Sequence, residues 1–525
     1  MGFDKKWTPD WDEQNKKSQK SETFDDKLNT SLHKNLQQIK KSIGNSNDII
    51  IREIKVGKLK NQLVGIIYTD GLADQSVVSN FIMESLMLDI ESADIHNSGE
   101  IIQFLKDYCL TIGDIKDISS FTALYNSILN GDTVILLDGY TKGISTSTTN
   151  ANGRAISEPA NESVIRGPRE AFTETIRTNT ALIRRKIKDP NLWLKSKTIG
   201  KYTKTDVSIM YINGIANDKV VTEVMKRLDR IDIDGILESG YIEELIQDST
   251  LTPFPTVYNT ERPDVIAAQL LEGKVAILVD GTPFVLIVPA PLTSFLQAAE
   301  DHYQRSDINS LIRIMRYLGI GIALLGPSFY VAISTHHQEM LPTPMLLSLA
   351  AQREGVPFPA FAEALIMEVA FEILREAGIR MPRTIGPAVS IVGTLVIGQA
   401  AVEAGIVSAV MVIVVSITAI CSFLFPSYSL SNTFRLLRFP MMGLAAFWGL
   451  FGVMAGITAL ILHLCSLRSF GVPYMSPFAP FIPSEQKDSI LRFPRWALLN
   501  RSRLLSPNNI KRGSNPLNKP TKGRK

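Results

Sequence analysis

Glu403 is the one charged side chain in the 41 residues from Ile385 to Phe425. A carboxylate so isolated suits the handling of cations. Gln399, Val402 and Glu403 share a helical face by the i, i+3, i+4 rule. Several copies in a ring would line a cation path with an amide, an apolar collar and an acid. A solvated hairpin apex at Glu403-Ala404-Gly405 accounts for the same spacing. A second acidic set, Glu363, Glu368 and Glu372, is interrupted by Leu365, Met367, Val369 and Phe371. At about 2.5–3.5 kcal/mol per mid-bilayer acid this segment, 358–377, would not insert alone. It is expected to lie amphipathically along an interface or against other helices. Arg166 and Arg169 belong to an Arg-rich stretch that offers either a solvated face or a subunit surface. With Glu363, Glu368 and Glu372 they are the candidates for coupling between subunits.

Other chemistry finds little support. His336-His337-Gln338-Glu339 lacks the spacing of a zinc helix and a second ligand group, so no metal is expected. No phosphate-cradling loop, nucleophile elbow or kinase loop appears, so neither a cofactor nor enzyme activity is expected. Cys109, Cys421 and Cys465 form no disulfide framework. The basic tail, residues 483–525, suits anionic lipid headgroups. Nucleic acid is not expected there, because few aromatic residues interleave the cations.

The elements that would position these residues divide sharply by composition. A membrane helix needs about 20 apolar residues at about 1.5 Å rise each. Four spans are expected, 317–335, 385–402, 405–425 and 439–464, inside a region 301–482. Gly449, Gly452 and Gly456 give the last of them a small-residue face for helix packing. Charge bias puts Arg313, Arg316 and the tail on the cytoplasmic side, and with four crossings Glu403 falls on that side too. Arg380, Arg383, Arg435 and Arg438 then lie in outer loops, against the bias. No cleavable signal peptide is expected at the N-terminus.

The polar half contains a repeat. Gly65–Asp74 is echoed by Ser208–Asn217, 143 positions later, and Gly131–Gly139 by Gly273–Gly281 at an offset of 142. Each copy reads as a strand, a Gly turn, an amphipathic helix and a strand ending in Asp-Gly, with Phe284–Val288 as a return strand. The fold expected is therefore a pair of duplicated α/β subdomains, 50–140 and 206–300, followed by an all-α transmembrane bundle. Residues 1–49 read as a flexible polar extension. Residues 141–205 read as a helical connector, with Gly167-Pro168 opening a helix that stripes Phe172, Ile176, Ile183 and Ile187 on one face.

Several ordered motifs resemble the A subunits of the GerA-type spore germinant receptor family. They are Pro357-Phe358-Pro359 with Glu363-Ala364-Leu365, Met367-Glu368, Phe371-Glu372 and Leu374–Gly378; Gly398–Val402; Arg435–Pro440; and Glu158-Pro159 with Arg166-Gly167-Pro168-Arg169-Glu170. The likeness covers residues 50–482. It implies a multi-pass protein of the spore inner membrane with a cytosolic N-terminal region of two α/β subdomains. It also implies a transporter-like B subunit that senses the nutrient, a lipoprotein C subunit, and a homo-oligomer. In this family the A subunit is proposed to conduct ions when a germinant binds. A scaffold or transporter-associated signalling subunit without its own pore is the alternative. An anchored enzyme lacks a catalytic set in 50–300, and a lone secondary transporter lacks an inverted repeat.

Overall fold

Short apolar runs bounded by turn residues dominate the N-terminal half, and in the computed structural model they form strands. The structure describes residues 26–56, 62–84, 86, 114–149, 158–381 and 398–513. These fall into two compact units. One comprises Met1–Gln247, Val257–Pro289 and Leu499–Lys525, the other Asp248–Thr256 and Ala290–Leu498.

The first unit is built from two like modules. The first module runs α1 (Leu32–Ser42), β1 (Ile49–Val56), β2 (Gln62–Thr69), β3 (Ile115–Ile118), α2 (Phe121–Asn130), β4 (Thr133–Leu137) and β5 (Gly143–Thr146). The second runs α3 (Ile176–Lys186), β6 (Leu192–Ile199), β7 (Thr205–Ile212), α4 (Asp218–Asp229), α5 (Ser239–Ile246), β8 (Tyr258–Thr260), α6 (Pro263–Leu271), β9 (Val275–Val279) and β10 (Val285–Val288). Their sheets share one strand order, β1-β2-β4-β5-β3 and β6-β7-β9-β10-β8. Every pairing is antiparallel. The echoed sequences occupy matching strands, β2 with β7 and β4 with β9.

Both faces of the first sheet are covered, so β4 is buried at every position and apolar from Val134 to Leu137. Val134 and Leu136 meet α1 and α2, while Ile135 and Leu137 join Val64, Ile66, Val78 and Ile82 on the opposite side. The Asp-Gly ending each echo also holds a helix. The Asp138 carboxylate accepts from Leu32 N at 2.9 Å and that of Asp280 from Ile176 N at 3.0 Å, filling the N-cap role from a distant strand. Gly139 and Gly281 follow with φ of 85° and 90°, a conformation glycine adopts without a Cβ clash.

Three expectations need correction here. The extension 1–49 is not wholly flexible. Leu28, Leu32, Leu36, Ile39 and Ile43 recur at helical spacing and are buried against the sheet. The connector 141–205 is not a separate piece, because β5, α3 and β6 belong to the modules. Its helix begins at Ile176 and not at Pro168. Arg262 donates to the carbonyls of Glu162 and Pro168, and Glu261 accepts from the amides of Asn161 and Glu162. Backbone groups that a helix would pair internally are thus taken by side chains.

The second unit is helical: α7 (Ser306–His336), α8 (Thr343–Arg353), α9 (Ala360–Arg380), α10 (Ala409–Ser422) and α11 (Tyr428–Ser466). Among the described residues, α7 and α11 are long and apolar enough to cross a membrane. Of the expected span 385–402, residues 385–397 lie outside the described residues. The expected span 405–425 is the 14-residue α10, shorter than a bilayer needs. Gly405, with φ of 64°, closes the turn before it, and Ser408 caps it at Met411 N.

The expected span 439–464 is not one straight helix. Gly449 takes φ 59° and ψ −140°, and the chain doubles back there. A Cβ at Gly456 would lie 2.6 Å from Met441 Sδ, and one at Gly452 would strike Leu444 O. At the open end, the Phe254 ring is 6.2 Å from Phe434 on one leg and 6.1 Å from His463 on the other. Residues 428–448 and 450–466 are therefore two antiparallel legs.

Candidate functional site

Helix α9 carries four acids and two arginines, yet it packs among apolar helices. The residues it faces explain how. Glu368 and Arg438 are both fully buried, and Arg438 Nη1 donates to Glu368 Oε2 at 2.5 Å. Arg438 Nε also donates to Ala323 O of α7 at 2.8 Å. One turn along, Arg435 grips both oxygens of Glu372 and donates to Asn432 Oδ1 at 2.7 Å. Beyond these, the Arg375 guanidinium lies over the rings of Phe423 and Tyr428, 5.7 and 5.6 Å from their centroids. At the other end Glu363, also fully buried, accepts from Ser408 N at 2.9 Å and lies 3.4 Å from Arg353 Nε.

Glu368 and Glu372 stand four apart on α9, and Arg435 and Arg438 three apart on α11, so both pairs form between two helical faces. Each charge removes the desolvation cost of its partner only while both are present. Among the described residues Glu368 Oε1 and Arg438 Nη2 have no hydrogen-bond partner, leaving capacity for water or a small ion within the charged layer. Among the described residues no group of three metal-ligating side chains converges.

Glu363 and Glu368 are buried inside the unit and Glu372 is held by Arg435, so the three acids face their own chain and not a subunit surface. Arg166 and Arg169 lie in the first unit and are exposed, and Arg169 Nη1 is 3.3 Å from Glu158 Oε1. Gln399 and Glu403 are also exposed and pair with each other at 2.8 Å, with Val402 half-buried beside them. Gly449, Gly452 and Gly456 meet at the reversal of α11, where a Cβ at Gly449 would collide with His336 and His337.

The end of the unit at which Glu403 sits differs from expectation. Tyr330 Oη lies 3.5 Å from Ser408 Oγ, and a Cβ at Gly405 would lie 3.1 Å from Gly355 O. That is the His336 end of α7. Arg313 and Arg316 mark the opposite end, where both bind Asp301. The physical reason is that α9, its acids neutralised, runs antiparallel to α7 as a full member of the helix layer. Burial pushes the Asp301 carboxyl up, but the hydrogen bond and charge of Arg316, with the charge of Arg313, hold it below its ordinary value. Burial pushes the neighbouring His302 down to about 4, with nearby arginines adding to the effect and Asp488 opposing it.

The roles of Arg435 and Arg438 were missed from the sequence, although a signal was present. Two arginines that offend the charge bias, spaced to match two acids on another helix, are better explained as their partners.

The chain thus joins a duplicated antiparallel α/β unit to an apolar helical unit with a buried ion-pair layer. The chain belongs to the GerA spore germination family. The family model described as Bacillus/Clostridium GerA spore germination protein matches residues 37–504. Spore germination protein KA of Bacillus subtilis (strain 168) is 50% identical over 90% of this chain and 86% of its own length. The uncharacterized membrane protein YfkQ of the same organism is 45% identical over 93% of this chain and 94% of its own. The crystal structure of the N-terminal domain of the A subunit of the Bacillus megaterium spore germinant receptor GerK3 is 45% identical. It covers 50% of this chain and 96% of that one, with a TM-score of 0.41.

Proposed function

We propose that this protein is the membrane A subunit of a nutrient-responsive spore germinant receptor. It resides in the spore inner membrane with its first unit in the cytosol and couples germinant sensing to cation release. A transporter-like B subunit senses the nutrient, a lipoprotein C subunit completes the receptor, and several copies of this chain assemble around an ion path. The protein performs no catalytic step of its own.

The observation that carries this proposal is the Glu368–Arg438 pair, buried between helices whose outer surfaces are apolar. Intramembrane charges are costly and are kept where ions or signals pass. The Gln399–Val402–Glu403 face, exposed at Gln399 and Glu403 and half-buried at Val402, is available to neighbouring copies, with Val402 as the collar. A gate of this kind needs a differential free energy of only a few kcal/mol from its ligand.

Deleting the gene and scoring germination on single nutrients tests the receptor role, and loss of the response to at least one nutrient is expected. Val402→Ser is expected to loosen the collar, giving ion leak or premature germination. Spores that retain their ions normally would remove Val402 from the gate.

A further inference from the structure

The second unit also contains a cleft that the ion-pair layer does not use. Tyr317 and Gly321 of α7, Phe434 and Ile461 of the two α11 legs, and Phe478 and Ile490 line about 390 Å³. The lining is apolar apart from the Tyr317 hydroxyl, which donates to Ser489 O at 3.3 Å. A Cβ built at Gly321 would meet nothing within 4 Å, so glycine there leaves the cleft open. Open space of this size is unusual between close-packed helices. With its one hydroxyl already bonded to Ser489 O, it selects for a hydrocarbon.

The rim has a different character. Residues 486–498 cross the first turns of α7 as a strap, fixed by hydrogen bonds. Arg313 Nη1 donates to Asp488 O at 2.7 Å and Oδ1 at 2.9 Å, and Ser310 Oγ bonds both the carbonyl and the amide of Arg492 at 3.1 Å. The strap presents Lys487 and Arg495 outward together with Leu491, Phe493 and Trp496, which are 37–40% exposed. Leu311, Met315 and Leu318 of α7 continue that apolar surface. Aromatic and basic residues displayed together at the end of an apolar helix match the headgroup level of a bilayer.

We propose that the cleft holds one acyl chain of an anionic phospholipid, with its headgroup against Lys487 and Arg495. This rests on the membrane placement proposed above. The chain would wedge α7 against both legs of α11, so its presence would bias how those helices pack.

The test uses the full-length protein in vesicles of phosphatidylcholine with or without phosphatidylglycerol, extracted into mild detergent. Native mass spectrometry then counts retained lipids. One phosphatidylglycerol per chain is expected. Gly321→Trp, which fills the cleft, is expected to lower its occupancy about tenfold, since excluding a few methylenes is enough for that. Lys487→Glu with Arg495→Glu, on exposed positions that packing does not constrain, should keep a bound lipid but abolish the preference for the anionic one. Absence of retained lipid, retention that Gly321→Trp leaves unchanged in a folded protein, or a charge-insensitive preference would each overturn the proposal. Resistance to alkaline carbonate extraction, scored separately, tells whether the membrane placement itself has failed.

Discussion

Both units bury ion pairs, Arg184 with Asp48 in the first and Glu368 with Arg438 in the second, but only the first repeats its buried polar contacts among the described residues. The first unit repeats neutral pins. Asn35 accepts from Asn29 N at 2.8 Å and donates to Asn29 O at 2.7 Å, while Asn179 makes the same pair of bonds to Thr173 at 2.8 and 2.6 Å. Both asparagines are almost fully buried, and each anchors the chain entering the first helix of its module. The second unit has no such repeat among the described residues and buries ion pairs, Glu368 with Arg438 between α9 and α11 and Asp301 with Arg313 at the start of α7. A neutral pin that appears twice at one structural address specifies a fold. A charged pair that an apolar pair could replace without loss of stability is better explained by what the protein does.

The sharpest way to break that contrast is Glu368→Ala. Leaving Arg438 buried and alone should cost about 3–5 kcal/mol, whereas the double variant Glu368→Met/Arg438→Met should fold with nearly the original stability. Thermal unfolding in detergent measures both. If stability alone explained the pair, the double variant would restore nutrient-triggered germination. We expect it not to.

Charge is not absent from the first unit, and its pH dependence separates two groups of opposite sign. Burial pushes the Glu162 carboxyl up to about 7, against the hydrogen bond from Thr260. The folded form then binds a proton that the unfolded form has released, so this group lowers stability as pH rises from about 4.5 to about 7. Burial pushes the Lys274 ammonium down to about 7, partly offset by Glu272. The unfolded form holds that proton longer, so the group raises stability between about 7 and about 10.5. Each contributes at most about 1.4 kcal/mol per pH unit. Glu162→Gln should flatten the lower window only and Lys274→Met the upper one only, as measured by denaturation midpoints across pH.

The pins themselves should respond alike. Asn35→Ala and Asn179→Ala each remove two hydrogen bonds to a partly exposed loop, at about 0.5–1.5 kcal/mol per bond. Unequal losses in urea unfolding would show that the modules have diverged in how they hold their first helix.

How much of this was legible follows from where each signal lies. The strands of both modules stand out because β4 from Val134 onward and the whole of β9 are apolar, so the echo is easily seen. Helix α1 escaped because its buried stripe includes Asn35 and is diluted by basic residues, whereas α3 was expected within the connector but started too early, at Pro168. The Glu368–Arg438 pair joins positions far apart in sequence, and only the register between two helices reveals it. At Gly449, spacing announced close packing, but a positive φ leaves no mark in a sequence where any glycine serves either purpose.

The smallest expected effect tests whether the Asp-Gly echo is a turn or a cap. If Asp138 and Asp280 only shape the turn after β4 and β9, exchanging either carboxylate for an apolar group of similar size should matter little, since the glycines supply the positive φ. If they cap α1 and α3, removing the acceptor orphans Leu32 N or Ile176 N, at about 0.5–2 kcal/mol each. Asp138→Leu and Asp280→Leu are expected to lose that amount in equilibrium unfolding. Asp138→Asn and Asp280→Asn, which keep an acceptor oxygen, should recover most of it. Amide exchange gives the location: faster exchange confined to the first turn of α1 or α3 belongs to a lost cap, and faster exchange across β4 or β9 to a damaged turn.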